Sequence, residues 1–104
     1  MEIDFFDASI EKFIQSLEKS TIAKVLRSLD LLAEFGHSLG LPHVKKIAPH
    51  VWELRIRSAQ EVRIFFTVKA GRAILLHGFI KKSMKIPPRE IAAARARLKR
   101  LDAI

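Results

Sequence analysis

The sequence predicts an α+β fold in which an N-terminal strand and an α-helical hairpin pack on an antiparallel β-sheet, followed by a C-terminal helix. Residues 51–82 contain three runs of β-branched, aromatic and aliphatic residues separated by two short polar breaks, which is typical of an antiparallel meander. Before this stretch the apolar residues recur at helical spacing, so helices and strands are segregated along the chain. The length of 104 residues indicates one domain, 1–104.

The N-terminal part is predicted to form one strand and two helices. Glu2–Phe6 alternates polar and apolar residues, as a strand does, and Asp7 is a suitable N-cap for the first helix. Ser20 or Thr21 is expected to cap the second helix, and Gly36 to end it in a left-handed conformation. The join between the helices is short, so we expect a hairpin with both apolar stripes on one sheet surface. These stripes are Ile10, Phe13, Ile14 and Leu17, then Ile22, Val25, Leu26, Leu29, Leu32 and Ala33.

The predicted sheet begins with an edge strand. A loop is expected over 37–43, and a short edge strand over 44–47, because exposed lysines suit an edge. A turn at 48–50 leads into the meander. Alternate apolar residues of its first two strands should face the helical hairpin. They are Trp52, Leu54 and Ile56, then Val62, Ile64, Phe66 and Val68.

The turn at 70–71 leaves two registers open. A two-residue turn places the even-numbered residues of the third strand, and Lys82 with them, on the face of Arg63. A three-residue loop with a bulge places the odd-numbered residues there, including His77 and Lys81. In both registers one of the two lysines reaches the face of Arg63.

A C-terminal helix is predicted to start near Arg89, because Pro87 and Pro88 cannot continue the sheet. Its narrow apolar stripe consists of Ile91, Ala94, Leu98 and Leu101. Much of its remaining surface is covered by Arg95, Arg97, Lys99 and Arg100.

The net charge of +8 is unevenly distributed. Residues 1–36 carry a net charge of −3 and residues 37–104 a net charge of +11. This split favours a surface that faces a polyanion, and a generally basic surface is the alternative. The chain has no cysteine, which excludes disulfides and thiolate metal sites, and the spacing of His37, His43 and His50 predicts no metal. Without a basic segment before an apolar run at the N-terminus, or an apolar stretch of ~20 residues, we expect a cytoplasmic protein and no membrane contact.

The meander carries cationic residues at recurring strand positions. Arg55 and Arg57 point to the same side of their strand. If the break at 58–60 pairs Arg57 with Glu61, then Arg55 lies opposite Arg63, and two like charges so placed repel each other. Such a pair indicates an anion-binding site. The alternative is a solvated basic face that neutralises nearby acids, namely Glu53 and Glu61.

Three motifs give the chain a resemblance to a known family. They are Trp52–Arg55 (WELR), Val62–Phe66 (VRIFF) and Leu76–Lys82 (LHGFIKK), followed by Ile86-Pro87 and by Glu90–Ala94. In this order and at these intervals they resemble the RelE/ParE superfamily of toxins, and more closely its HigB-like, phage-derived subgroup. The resemblance covers essentially the whole chain and implies a RelE-like fold.

The resemblance implies the toxin of a type II toxin–antitoxin pair. Such toxins are ribosome-dependent endoribonucleases that cut translated mRNA without cofactors, so the implied partners are the ribosome, mRNA and a helix-turn-helix antitoxin (HigA-like). By motif position the functional residues are Arg55, Arg63, Lys81 and Lys82. Several members of that family use a tyrosine or a histidine near the active site, whereas this chain has no tyrosine. Phe65 and Phe66 correspond to the aromatic hydroxyl of some members, which leaves the identity of a general acid open.

The chemistry of RNA cleavage suggests a role for each residue. The arginines 55 and 63 would grip phosphate oxygens, because a planar guanidinium binds two oxygens at once. Lys81 or Lys82 would transfer a proton, since cationic surroundings make a lysine a better acid or base near neutral pH. His77 is a further catalytic candidate, although a lone histidine in an apolar strand is more often a hydrogen-bonded core residue. Candidate RNA-binding residues are Lys45, Lys46, Arg57 and Arg95.

Several alternatives remain open at this point. Lys45 and Lys46 also suit the protection of a sheet edge. The C-terminal helix is either a phosphate-binding surface or a mobile lid that the antitoxin displaces. For the whole chain, the alternatives are a ParE-like poison of DNA gyrase and a catalytically inactive module that binds nucleic acid or antitoxin.

Overall fold

A five-stranded sheet runs through the molecule, in a computed structural model that describes residues 1–40 and 42–102. Leu41, in the predicted loop, and residues 103–104 lie outside the described residues. The strands are β1 (Glu2–Phe5), β2 (Val44–Ala48), β3 (Val51–Arg57), β4 (Glu61–Lys69) and β5 (Arg72–Ile80). The helices are α1 (Ala8–Gln15), α2 (Lys19–Phe35) and α3 (Pro88–Asp102), and a short 3-10 helix spans Gly36–Leu39. The predicted elements and the α+β fold class are confirmed.

The strand order in the sheet is β1-β5-β4-β3-β2. Strands β2 to β5 form the predicted antiparallel meander with its edge strand. β1 joins β5 in parallel, so the complete sheet is mixed. Because the helical hairpin carries the chain across the sheet to the far edge at β2, β1 is left beside the last strand.

The sheet is covered by helices on both faces. On one face, the buried side chains of α1 and α2 pack against those of β3 and β4, as predicted. This core contains Ile10, Ile14, Val25, Leu29, Leu32, Leu54, Ile56, Val62, Ile64 and Phe66. On the opposite face, α3 packs over a smaller cluster of Val51, Phe65, Leu76, Phe79 and Ala94. That second face also carries the odd-numbered residues of β3, and it positions the site described below.

The predicted helix starts are right for α1 and wrong for α2. Asp7 caps α1 and accepts a hydrogen bond from the backbone N–H of Ser9, at 2.9 Å. α2 begins at Lys19, before the expected caps at positions 20 and 21, and no side chain caps it. Instead, the Gln60 side chain accepts from the backbone N–H of Glu18, at 2.9 Å, and so ties the helix start to the β3–β4 turn.

The buried stripe of α2 differs from the predicted one at two positions. Thr21 is buried, whereas Leu26 is 53% exposed. The buried residues Thr21, Val25, Leu29 and Leu32 follow the helical period, and Leu26 is turned about 100° away from Val25. The helix ends at Gly36 as predicted, with a φ of 63° that favours glycine, although its ψ of −158° is extended rather than left-handed helical.

The β4–β5 register combines the two predicted alternatives. The turn has two residues, because Lys69 pairs with Arg72. A bulge then shifts the register, so that Phe66 pairs with Leu75 but Phe65 pairs with His77. Odd-numbered residues of the last part of β5 therefore lie on the side of Arg63. The structure thus has the two-residue turn of the first alternative. It places odd-numbered residues on the side of Arg63, as in the second alternative.

α3 confirms the predicted stripe at its centre. Ala94 is fully buried against β4 and β5, and Ile91 and Leu98 pack beside it. The Arg97 guanidinium fixes the helix further, because its Nη1 donates to the backbone oxygen of Leu76 at 2.6 Å. Among the residues that the structure describes, no helix is both long and apolar enough to cross a membrane.

Candidate functional site

The candidate site lies at the ends of β3 and β4, on the sheet face opposite the helical hairpin. Arg55 pairs directly with Arg63, and Arg57 with Glu61, so the predicted register is confirmed. Both arginines of the facing pair point to the same side as the neighbouring Glu53, because residues two apart on a strand share a face. The structure therefore assembles three cations and two acids at one end of the sheet.

The Glu53 carboxylate lies between the two facing guanidinium groups. Its Oε1 is 3.1 Å from Nε of Arg55, and its Oε2 is 3.3 Å from Nε of Arg63. Nη1 of Arg63 also donates to Oε2 of Glu61 at 2.9 Å. The repulsion expected for two facing arginines is thus offset within the protein, and Glu53 is the anion that they hold.

Burial separates the two arginines. The side chains of Glu53 and Arg63 are 1% and 3% exposed, whereas that of Arg55 is 26% exposed. Arg57 is more open still at 72%, with its Nε 3.7 Å from Glu61. Solvent, and any ligand it carries, therefore reaches Arg55 and Arg57 but hardly reaches Arg63 or Glu53.

The contacts around Glu53 are close but not well aligned. Its Oε2 and the Nε atoms of Arg55 and Arg63 are buried, yet within the described chain none has a hydrogen-bond partner with suitable geometry. The contact with Glu53 is made through the Nε atom of Arg55. The Arg55 side chain is also 26% exposed, so its guanidinium is open to an oxyanion from solution.

The lysine pair continues from β5 next to this cluster. The backbone N–H of Lys81 donates to the oxygen of Glu61 at 2.7 Å, which extends the pairing of β4 and β5 by one residue. Nζ of Lys81 donates to the backbone oxygen of Met84 at 3.1 Å, and Lys82 is exposed. Lys81 thus lies at the same end of the sheet as the arginine pair.

His77 lies apart from the arginines, between the sheet and α3. It pairs with Phe65, which is two residues along β4 from Arg63, a separation of about 7 Å. Its Nε2 is 3.4 Å from Oε1 of Glu90, and its ring stacks on Phe79 at 5.9 Å between centroids. Burial lowers the pKa of His77, and although Glu90 acts in the opposite direction, the imidazole favours its neutral form.

The candidate RNA-binding residues lie on three separate surfaces. Lys45 is exposed on β2 and pairs with Glu53 across the strands, on the site's face. Lys46 is on the opposite face, with Nζ 5.6 Å from the centre of the Trp52 ring. Arg57 belongs to the site, and Arg95 is exposed on α3 beside a surface groove of about 540 Å³. The structure therefore groups Lys45 and Arg57 with the arginine pair, and does not group Lys46 or Arg95 with it.

Three further residues matter for the chemistry. Phe65 and Phe66 are both fully buried and do not reach the surface of the site. Glu90, the partner of His77, was not predicted from the sequence. An acid in the first turn of a helix is common for electrostatic reasons alone, so its position gave no functional signal. Within residues 1–40 and 42–102, no three His, Asp or Glu side chains are grouped as a metal site requires.

Comparison with known families gives one match. The family described as "Phage derived protein Gp49-like (DUF891)" matches residues 12–99, which is most of the chain and includes every element of the site. None of the curated proteins shows a significant match to the sequence.

Proposed function

The chain belongs to the Gp49-like family of phage-derived proteins, which is related to RelE-type toxins, and from this we propose that it is the toxin of a type II toxin–antitoxin pair. In this proposal it is a ribosome-dependent endoribonuclease that cleaves translated mRNA in the cytoplasm and needs no metal. A helix-turn-helix antitoxin of the HigA type is its proposed inhibitor.

The observation that carries this proposal is the pair of facing guanidinium groups around one carboxylate. Arg55 and Arg63 hold Glu53 through their Nε atoms, at 3.1 and 3.3 Å. The Arg55 side chain is 26% exposed, so its guanidinium is reachable from solvent while its Nε contacts Glu53. A guanidinium whose Nε contacts a carboxylate can still offer the two parallel N–H donors of its terminal nitrogens. Two phosphate oxygens accept hydrogen bonds in this geometry.

Cleavage without a metal is an internal transfer within the RNA. The 2′-hydroxyl loses its proton, its oxygen forms a bond to the adjacent phosphorus, the bond from phosphorus to the 5′-oxygen breaks, and that oxygen takes up a proton. The products are a 2′,3′-cyclic phosphate and a 5′-hydroxyl. The largest requirement is stabilisation of the additional negative charge on the phosphorane.

In the proposed mechanism, Arg55 and Arg57 contact the phosphate. Arg63 is too buried for direct contact, so it supports Arg55 through Glu53 and contributes its charge from beneath. This changes the role expected for Arg63 from the sequence, where it was a direct phosphate clamp.

Lys81 is the proposed acid that protonates the 5′-oxygen, because its backbone is tied to Glu61 beside the arginines, whereas Lys82 lies further along the exposed turn. In this proposal the proton of the 2′-hydroxyl passes to water. Positioning of that hydroxyl by the ribosome contributes to the rate, since orientation alone can lower a barrier substantially.

Arg55→Gln tests this proposal, because Arg55 is accessible and its replacement leaves Glu53 paired with Arg63. A matched control is Arg72→Gln, which removes another strand arginine that contacts two acids, Glu2 and Asp4, each at 2.7 Å. After brief induction, mRNA ends are mapped by primer extension. We expect new ends within translated frames for the wild type and the Arg72 variant, and about 10²–10³-fold slower cleavage for the Arg55 variant. Growth arrest with intact messages would contradict the proposal.

The same geometry favours one second candidate, a module that binds nucleic acid without cleaving it. Glu53 and Glu61 neutralise much of the charge on Arg55, Arg57 and Arg63. If they remain paired when RNA binds, the site adds affinity but little stabilisation of a phosphorane. RNA binding that depends strongly on salt, with no new mRNA ends on ribosomes, would identify this function.

A further inference from the structure

An open groove of about 430 Å³ lies between α2 and the end of β3, next to the arginine pair. Lys24 and Arg27 line it from α2, Arg55 and Arg57 line it from β3, and His43 closes one end. Its volume falls in the range of small-ligand sites, about 300–1,000 Å³. The proposed function assigns no role to its α2 side.

Every ionisable side chain that lines the groove is a cation or a histidine. Lys24 and Arg27 have no carboxylate within 4.0 Å among residues 1–40 and 42–102. They differ in this from Arg55 and Arg57, which contact Glu53 and Glu61. The positive charge on the α2 side of the groove is therefore not offset by the protein and favours an anionic ligand.

The position of Lys24 is fixed at the edge of the groove. Its Nζ donates to the backbone oxygen of Arg57 at 2.8 Å, which holds the ammonium group beside the end of β3 without neutralising it. Residues 1–36 carry only four Lys and Arg side chains, and two of them line this groove. Although that segment has a net negative charge, Lys24 and Arg27 form a cationic edge on it. The fold places this edge beside the basic half of the chain, residues 37–104.

Part of the groove lining is apolar. Leu31, Pro42 and Ile56 line it together with the cations. Apolar lining beside cations matches a nucleotide, whose base and ribose offer apolar surface while its phosphate is anionic. A positively charged groove can follow the backbone of a single-stranded nucleic acid. An acidic peptide would use the cations but has less need of the apolar lining.

We propose that this groove binds the single-stranded RNA segment adjoining the phosphate at Arg55, with a flanking phosphate at Lys24 and Arg27. Arg55 lines the groove and belongs to the candidate site on the other face of the sheet. Because β2 pairs with β3 only as far as Leu54, one strand can pass from the groove around this open end of β3 to the site. The inference rests on the proposed function in taking RNA as the substrate, but it concerns binding and does not require cleavage.

The test measures binding of a single-stranded RNA of about ten nucleotides, a length within the usual range of such sites. All its 2′-positions carry methyl groups, so the strand resists cleavage. Fluorescence anisotropy at several salt concentrations compares the wild type, Arg27→Gln and a matched control, Lys12→Gln, which removes one exposed helical cation on α1 outside the groove. A glutamate-rich peptide of similar charge is measured in parallel.

We expect Arg27→Gln to weaken RNA binding and to reduce the slope of log K against log salt by about 0.7, the change for one phosphate contact on a single strand. Lys12→Gln should leave the slope unchanged. Equal slopes for all three proteins, equal losses in the two variants, or equally strong binding of the peptide would each overturn the inference. No strand is cut in this binding assay, so its result can be interpreted even if the protein proves not to be a nuclease. Conversely, a negative result for the groove does not affect the cleavage experiment with Arg55→Gln.

Discussion

At the scale of single residues, the central feature is the burial of Glu53 between two arginines. Removing a carboxylate and a guanidinium from water costs several kcal/mol each, and a buried pair often contributes little net stability. Apolar side chains of similar volume at positions 53 and 63 would stabilise the sheet to about the same extent. The ionic arrangement is therefore better explained by the orientation that it imposes on Arg55 than by stability alone.

Removing the Glu53 charge should destabilise the protein more than removing an exposed one. In Glu53→Gln, Arg63 keeps only Glu61 and Arg55 loses its partner, so unfolding should need about 3 kcal/mol less free energy. The control Glu11→Gln changes an exposed acid on α1 and should stay within about 0.5 kcal/mol of the wild type. Urea unfolding measures both. Equal stabilities of the two variants would show that Glu53 is not held as described.

His77 should make stability depend on pH. Burial lowers its pKa from the ordinary 6.5, an effect that Arg97 reinforces and Glu90 opposes. Between the folded and unfolded pKa values the unfolded chain binds more protons. The contribution of His77 is therefore complete above about pH 6.5 and is lost as the pH falls through the folded pKa.

The corresponding measurement is the free energy of unfolding from about pH 7.5 down to about pH 5. Below about pH 6.5 the free energy of unfolding of the wild type should fall as His77 takes up a proton. His77→Gln should lack this part of the decrease. His43→Gln, which alters an exposed histidine, is the matched control. If the His77 variant loses stability in acid as steeply as the wild type, its imidazole is not held neutral.

At the scale of elements, the β4–β5 hairpin decides which side chains meet. Its turn has positive φ at both central residues, 53° at Ala70 and 75° at Gly71, as in the two-residue turns that suit twisted strands. The bulge near Leu75 then moves His77 and Phe79 to the side of Arg63. Without this bulge, that side would carry Gly78 and Ile80, and α3 would lose part of the surface on which it packs.

Ala70 is the weak position of this hairpin, because a β-carbon is strained at positive φ. Ala70→Asn should raise the free energy of unfolding by about 0.5–1 kcal/mol, since asparagine tolerates this conformation better. Ala59→Asn is the matched control. Ala59 is also exposed in a short hairpin turn, between β3 and β4, but it is not among the residues with positive φ. A gain in both variants, or in neither, would contradict the strain described for Ala70.

At the scale of the whole molecule, the helices cover most of the sheet, and the cationic residues of the site lie where this cover ends. α1 and α2 cover one face of the sheet and supply most of the core, whereas α3 covers only part of the other face. The uncovered end of that face carries Arg55 and Arg57 and adjoins the groove along α2. A polyanion can thus approach along one edge of the molecule without disturbing the main core.

Much of this architecture follows from local patterns in the sequence. The apolar period fixed the strands and α1, and the short break at 58–60 was enough to place Arg55 opposite Arg63. Local patterns could not show the bulge, because the extra residue lies in β5, where Leu75 and Leu76 are both apolar and either suits either face. The start of α2 was misplaced for a related reason, since its backbone is held by Gln60, which is distant in sequence.

The candidate site was predictable in part of its membership but not in its charge balance. The sequence placed the cations on one face, yet which carboxylate they contact depends on side-chain rotamers, and these are set by packing. The buried contact of Arg63 with Glu53 and the contact of His77 with Glu90 are of this kind. Such contacts join residues on different strands and helices, so no spacing rule within one element reveals them.

The most direct test of the central claim is the chemistry of the cleaved ends. Purified protein is mixed with ribosomes translating a defined mRNA, and the fragments are treated with a kinase that labels only 5′-hydroxyls. An attack by the RNA's own 2′-hydroxyl, assisted by Arg55, predicts fragments with labelled 5′-hydroxyls and 2′,3′-cyclic phosphates, formed by the wild type and much more slowly by Arg55→Gln. Fragments with 5′-phosphates, or mRNA left intact, would contradict it.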